Sequence, residues 1–209
     1  MIILDPNELL PNVAILHDVI DNHPLNSNLA THLNIVEVFL SEHCDESPDV
    51  KIETNLENRM ARLGLGRSSQ NKTYFKYILY HEFGHVADRA NPDFEYSERR
   101  RTSLSESEQI AVDELWNLFI DARLNHAGVF DLGALQECYS LKHGRLPNTI
   151  QGKLQSHAVM LENQGIPYKR ALKLASGCWK SPPGMWTYEE MVAWVKENTG
   201  EQNTPADAA

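Results

Sequence analysis

The chain is poor in cysteine, in long apolar runs and in positive charge. Its three cysteines form no CxxC pair, so neither a zinc ribbon nor a disulfide framework is indicated. No run approaches the roughly 18–20 apolar residues that a membrane helix needs. The first twelve residues lack the basic and apolar regions of a signal peptide. We therefore expect a soluble, cytoplasmic protein with no membrane partner.

The deficit of positive charge bears on possible partners. Nineteen Lys and Arg residues face 29 Asp and Glu residues, which gives a net charge of −10. An acidic surface of this kind repels phosphate backbones, so we expect no nucleic-acid partner. The content of 42% hydrophobic and 23% charged residues is that of an ordinary folded globule. Nine histidines are a high count for this length.

The sequence pattern predicts an α+β, helix-rich fold in one domain over residues 1–199, followed by a flexible tail over 200–209. Apolar residues at helical spacing predict helices over 28–43, 73–89, 106–126 and 168–175. Alternation predicts a strand over 49–54, and 58–71 is interpreted as an edge strand that enters a loop. The charged segment 92–108 is interpreted as a loop. Ser105 with Glu108, and Thr187 with Glu190, form capping boxes that begin two helices.

One motif carries chemistry: His81-Glu82-Phe83-Gly84-His85 is the pattern HExxH. Positions i and i+4 of a helix share a face, so both imidazoles can reach one metal ion. Glu82 lies beside that ion, where its carboxylate can accept a proton from the water that zinc activates. The motif therefore predicts a Zn²⁺ site with His81 and His85 as ligands and Glu82 as the catalytic base.

A catalytic zinc site needs a third protein ligand and one open position. The helix predicted over 106–126 places four polar residues in one stripe, namely Glu114, Asn117, Asp121 and Asn125. Apolar residues border this stripe, and buried carboxylates are costly unless they are paired or bound to a metal. We therefore expect a carboxylate of this stripe to be the third ligand.

The two helices that carry these residues resemble those of the zincin metallopeptidases, and in particular the gluzincins. In gluzincins a carboxylate ligand follows HExxH on a later helix. The segment Trp116-Asn117…Asp121…Asn125 is also similar to the WN…D…N helix of metallopeptidase-like domains that accompany von Willebrand A-type modules in bacteria. The resemblance covers roughly residues 74–91 and 106–128. It implies a zincin-like domain in which a small sheet lies over the HExxH helix.

The chain departs from the gluzincin pattern at one position. Asn117 stands where gluzincins have the ligand glutamate, and asparagine is a poor zinc ligand. Two assignments stay open. In the first, which the WN…D likeness favours, Asp121 is the third ligand and Asn117 supports it without binding the metal. In the second, Glu114 is the ligand, and Asn117 and Asp121 orient the histidines.

These residues together predict a zinc-dependent metallopeptidase that acts on a peptide or protein substrate. The alternatives are a non-catalytic zincin-like binding module and a zinc hydrolase of a non-peptide amide. The oligomeric state stays open. Asp88, one turn after His85, is expected to be exposed, and the other seven histidines are interpreted as ordinary residues without a special role.

Overall fold

The computed structural model describes residues 1–10, 12–41, 50–66, 75–129, 150–181 and 186–199. These ranges hold eight α-helices and a four-stranded sheet, which confirms the α+β, helix-rich prediction. None of the described helices is both long enough and apolar enough to cross a membrane. The tail over 200–209 lies outside the described residues.

The chain divides into two compact units. The first comprises the described residues of 1–91 and 127–129, and the second those of 92–126 and 150–199. The single domain expected over 1–199 stays a prediction. The first unit contains the sheet and the HExxH helix, and the second is helical.

The elements of the first unit are β1 (Ile2–Leu4), α1 (Ala14–Asp21), α2 (Leu29–His32), β2 (Ile35–Leu40), β3 (Lys51–Asn55), β4 (Met60–Leu65) and α3 (Phe75–Ala90). The strand order is β1-β2-β4-β3. β1, β2 and β4 run parallel, and β3 is antiparallel to β4. β3 also contacts α3, and α1 packs on α3. The strand predicted over 49–54 is confirmed as β3, and the helix predicted over 73–89 is confirmed as α3 from Phe75 onward.

The helix predicted over 28–43 is wrong. Within residues 28–41, which the structure describes, only Leu29–His32 is helical, and Ile35–Leu40 forms the inner strand β2. Leu29, Leu33 and Val36 satisfy the helical spacing, but Val36 and Val38 are the completely buried pair of the strand. β-branched residues at every second position pack well on a pleated surface, so the contacts of the sheet override the helical spacing.

The edge position expected for residues 58–71 is also wrong, because β4 lies between β2 and β3. Gly64 is paired with Phe39 of β2. A Cβ atom at Gly64 would lie only 3.0 Å from Cζ of Phe39, so a larger residue at this inner position would require the Phe39 ring to shift by a few tenths of an ångström. The Arg62 guanidinium lies over the same Phe39 ring, 4.7 Å from its centroid.

The second unit begins with a 3₁₀ turn (Pro92–Phe94), followed by α4 (Glu98–Thr102), α5 (Glu106–His126), α6 (Ile150–Glu162), α7 (Tyr168–Lys180) and α8 (Tyr188–Thr199). α5 contacts α6, α7 and α8 and is the centre of the unit. The loop predicted over 92–108 is wrong in part, because it contains the 3₁₀ turn and α4. Phe94 explains the 3₁₀ turn, since its ring is buried against Trp116 with 4.9 Å between the ring centroids. α4 is capped at its start by Ser97, whose side chain accepts from the Arg100 backbone N–H at 3.2 Å.

The two predicted capping boxes are confirmed. Glu108 Oε2 accepts from the Ser105 backbone N–H at 2.8 Å, and Ser105 Oγ accepts from the Glu108 N–H at 3.3 Å. Thr187 and Glu190 exchange the same two bonds at the start of α8. These bonds satisfy backbone N–H groups that have no partner inside the helix.

Candidate metal centre

The two predicted histidine ligands lie side by side on α3. The centroids of the His81 and His85 rings are 5.2 Å apart, and the ring planes make an angle of 73°. With Zn–N bonds of about 2.1 Å, two imidazoles on one tetrahedral zinc ion have ring centres about 5 Å apart. The spacing of the two rings therefore suits a shared zinc ion.

The polar residues of the motif lie at the edge of the buried face of α3. His81, Glu82 and His85 are each partly exposed. The apolar residues around them are buried, namely Phe83, Gly84, Val86 and Ala87. A general base must reach both water and substrate. Glu82 is therefore not enclosed in the core, while the buried face fixes the helix.

A loop between α1 and α2 holds α3 on both sides of the motif. His23 is 2% exposed, and its Nε2 lies 2.9 Å from the carbonyl oxygen of Tyr80. The Leu25 backbone N–H donates to His23 Nδ1 at 3.3 Å. Because Nδ1 accepts, the ring is neutral and its proton is on Nε2, which donates to Tyr80. Asn26 Nδ2 donates to the Ala87 carbonyl at 3.5 Å. The loop thus binds carbonyls immediately before and shortly after HExxH.

Asp88 is buried at 2% exposure, so the expectation that it is exposed is wrong. Its neighbours Val86 and Ala87 are also buried, which means that the last turn of α3 is enclosed on more than one face. Next to it, Arg89 Nη1 donates to Thr54 Oγ1 of β3 at 2.8 Å. The end of the helix is thereby tied to the edge strand of the sheet.

The two candidate third ligands lie on α5, inside a buried cluster of charges. Asp121 Oδ2 is 2.5 Å from Lys153 Nζ, and these side chains are 2% and 4% exposed. Glu114 Oε1 is 2.7 Å from His157 Nδ1. His157 Nε2 in turn lies 3.4 Å from Asp121 Oδ2. Lys153 and His157 both belong to α6, so the cluster joins α5 to α6.

The charges of this cluster balance when His157 is protonated. Burial by itself lowers the pKa of His157. The carboxylates of Glu114 and Asp121 outweigh burial and the nearby Lys153 ammonium, so the pKa is raised above its ordinary value of 6.5. Two carboxylates are then paired with two cations, which is the condition under which buried charges are tolerated.

The sequence pattern does not predict the roles of Lys153, His157 and His23. The interpretation of seven histidines as ordinary is wrong for His23 and His157, which are buried and hydrogen-bonded. For α6, the sequence does indicate that two of these residues face the core. Lys153 and His157 are four residues apart and lie beside Leu154 and Ala158 on the apolar side of that helix. No comparable signal marks His23.

The structure therefore brings the predicted residues together in two sets. His81, Glu82 and His85 share α3 in the first unit, and Glu114 and Asp121 share the cluster on α5 in the second. Across the ranges that the structure describes, no three His, Cys, Asp or Glu side chains are arranged to hold a metal ion. The identity of the third ligand stays a prediction.

No family model, curated protein or solved structure matches this chain. The resemblance to zincins is consequently carried by the sequence of α3 and α5 alone.

Proposed function

We propose that this chain is a zinc-dependent metallopeptidase in which His81 and His85 bind the metal and Glu82 is the general base. The supporting observation is the 5.2 Å separation of the two imidazole centroids on α3. Glu82, which lies between them in sequence and is partly exposed, adds to this support. Zinc held there would polarise the substrate carbonyl and acidify a water molecule.

Residues of the chain carry out the proton transfers and hold the helix that bears the motif. The Glu82 carboxylate accepts a proton from the attacking water, which forms the new C–O bond. The same carboxyl group then donates that proton to the amine nitrogen as the C–N bond breaks, so the proton balance closes on one residue. The His23 and Asn26 hydrogen bonds fix the α3 backbone around the motif. These bonds hold the segment of backbone that carries the two imidazoles.

The first experiment measures zinc content and cleavage of an unfolded protein substrate. We expect about one zinc per chain, lost in His81→Ala and His85→Ala and kept in Glu82→Gln. Glu82→Gln should abolish cleavage because the amide cannot accept the proton. The matched control is His17→Ala, which removes a partly exposed histidine of α1. A fully active Glu82→Gln protein, or a wild type that binds no zinc, would refute the proposal.

For the third ligand we propose Asp121, with Glu114 as the alternative. The single variant Asp121→Ala is a poor test, because the Lys153 ammonium would stay buried without the Asp121 carboxylate and the protein would be destabilised. The double variant Asp121→Asn/Lys153→Met keeps the cluster free of an unpaired charge. If Asp121 is the ligand, this folded double variant loses zinc and Glu114→Gln retains it. The reverse result would assign Glu114.

One observation favours the non-catalytic alternative. Both candidate carboxylates already have cationic partners, Lys153 and His157, within hydrogen-bonding distance. A chain that binds zinc through His81 and His85 but cleaves no protein in the presence of zinc would be a metal-binding interaction module. Cleavage of N-acyl amides without cleavage of peptides would identify the non-peptide hydrolase. A chelator control assigns either activity to the metal.

A further inference from the structure

A groove in the second unit is lined by α5, α7, α8 and the residues that precede α8. Its volume is about 870 Å³, within the range of about 300–1,000 Å³ that small-molecule sites occupy. Its apolar surface includes Trp186 and Trp194, both partly exposed. Trp186 packs on Phe119 with 4.9 Å between the ring centroids. Tryptophans that stay accessible inside a cavity of this size are suited to hold a flat apolar group.

Positive charge is concentrated on one side of this groove. α7 carries four cationic residues and no acidic residue, although the chain as a whole has a net charge of −10. Arg170 and Lys173 of α7 line the groove, and Glu197 is the acidic residue among its described lining. In the part of the chain that the structure describes, Lys173 is in no ion pair. The groove therefore offers cations beside its aromatic surface.

The Arg170 side chain is held in position by a buried amide. Asn198 is buried, and its Oδ1 accepts from Arg170 Nη1 at 2.8 Å. The same amide donates from Nδ2 to the Trp194 carbonyl at 2.6 Å. One buried amide thus links the guanidinium to the helix that carries the aromatic ring. A guanidinium held in this way loses less conformational entropy when it meets a carboxylate.

We propose that this groove binds an aromatic carboxylate, with the ring against Trp186 and Trp194 and the carboxylate at Arg170 and Lys173. The ligand is either a small aromatic acid or the C-terminal aromatic residue of a peptide, since both present the same chemistry. The described lining of the groove contains neither Glu82 nor any of the proposed zinc ligands, so the two proposals are tested separately.

Calorimetric titration with three naphthalene compounds tests the charge preference. We expect 2-naphthoate to bind, 2-naphthamide to bind about five-fold or more weakly, and 2-(aminomethyl)naphthalene to bind most weakly. Lys173→Gln should weaken 2-naphthoate binding by a similar factor. Lys169→Gln is the matched control, because Lys169 is an exposed cation of α7 that does not line the groove. Equal binding of the acid and the amine would overturn the proposal.

Gly177 provides a second test of the position. It lines the groove, and a Cβ atom added there would meet no atom within 4 Å. Gly177→Ala should fold and bind 2-naphthoate as the wild type does, whereas Gly177→Phe should place a ring inside the groove and weaken binding. Thermal unfolding verifies that both variants are folded. Unchanged binding in folded Gly177→Phe, or no binding of 2-naphthoate to the wild type at millimolar concentration, would contradict the assignment.

Titration with peptides distinguishes the two sources of the ligand, a small aromatic acid and the C-terminal aromatic residue of a peptide. A short peptide that ends in Trp with a free carboxylate is compared with its C-terminal amide and with 2-naphthoate. Tighter binding of the free-acid peptide than of 2-naphthoate supports a site for a chain end, and the reverse supports a small-molecule site. Equal binding of the peptide acid and its amide would overturn the carboxylate contact.

Discussion

Lys153 Nζ lies 2.5 Å from Asp121 Oδ2, with both side chains almost completely buried. Removing two charges from water costs several kcal/mol for each ion, and only a close partner offsets that cost. His157 Nδ1 and Glu114 Oε1 form a second pair between the same two helices, 2.7 Å apart. Removing one partner of a pair should therefore destabilise the contact between α5 and α6 more than removing both partners.

Substitution of Lys153 should reveal this dependence. Lys153→Met leaves the Asp121 carboxylate buried without its ammonium partner, and we expect the free energy of unfolding to fall by about 3–5 kcal/mol. The double variant Asp121→Leu/Lys153→Met removes both charges and should be more stable than Lys153→Met alone. Urea denaturation of the metal-free protein gives the free energies of both variants.

The matched control for this measurement is an exposed ion pair. Arg62 Nε lies 2.9 Å from Glu37 Oε2, but both side chains are about two-fifths exposed, at 44% and 38%. Arg62→Met also removes the exposed contacts of the guanidinium with Glu53 and the Phe39 ring, and its cost should still be about 1 kcal/mol. If Lys153→Met were as mild as this control, the buried pair would have no energetic role in joining the two helices.

The start of α5 should show a pH-dependent contribution from Glu108. The Ser105 backbone N–H and hydroxyl bind its carboxylate and lower its pKa below the ordinary value of 4.5. A lowered pKa in the folded state means that the stabilisation is complete above pH 4.5 and is lost as the pH falls through the lowered pKa. Relative to Glu108→Gln, we expect the wild type to be more stable by about 0.5 kcal/mol at pH 7.

This difference should disappear at acid pH, where the wild-type carboxyl group is protonated. Urea denaturation at a series of pH values follows it. Glu106→Gln is the control, since Glu106 lies in the same first turn but outside the capping box. A wild-type advantage that grew as the pH fell would contradict a lowered pKa of Glu108 in the folded state.

Cys178 should be unreactive in the folded protein. Burial raises the pKa of its thiol to about 11, and the thiolate is the form that reacts with iodoacetamide. At neutral pH we expect alkylation of Cys178 to be about a hundred-fold slower than in the urea-unfolded protein. Mass spectrometry of the peptide that contains Cys178 measures both rates in one chain. Similar rates in folded and unfolded protein would contradict the burial of this thiol.

The features that the sequence predicts correctly are local. The capping box of Ser105 and Glu108 spans three residues, so its two hydrogen bonds follow from neighbouring positions alone. The facing pair His81 and His85 follows in the same way from helix geometry. Burial around the HExxH motif is likewise visible in its apolar neighbours.

The features that it fails to predict depend on distant contacts. Leu29, Leu33 and Val36 fit helical spacing and so predict a helix where β2 lies, and only pairing with β1 and β4 selects the strand. The partners His157 and Glu114 are 43 residues apart in the chain. The local pattern indicates that His157 lies on the apolar side of its helix, but it does not indicate which distant carboxylate the fold brings to it.

His23 offers the sharpest test of how the HExxH helix is held. Its ring uses one nitrogen as a donor to Tyr80 and the other as an acceptor from Leu25, which are 57 and two residues away. His23→Ala leaves the loop amide without its acceptor and creates a cavity beside α3, so we expect a loss of about 2–3 kcal/mol in the free energy of unfolding. Amide hydrogen exchange should accelerate most in the turn of α3 that contains His81 and His85.

A general loss of stability would accelerate exchange throughout the first unit, so the distribution of the effect is the decisive readout. The matched variant is Leu79→Ala, which removes a completely buried side chain of the same helix without touching either His23 bond. At equal loss of global stability, His23→Ala should weaken zinc binding more than Leu79→Ala, because only the first releases the backbone next to the proposed ligands. If both variants weakened zinc binding equally, His23 would contribute to the core of the unit and not to the placement of the metal-binding turn.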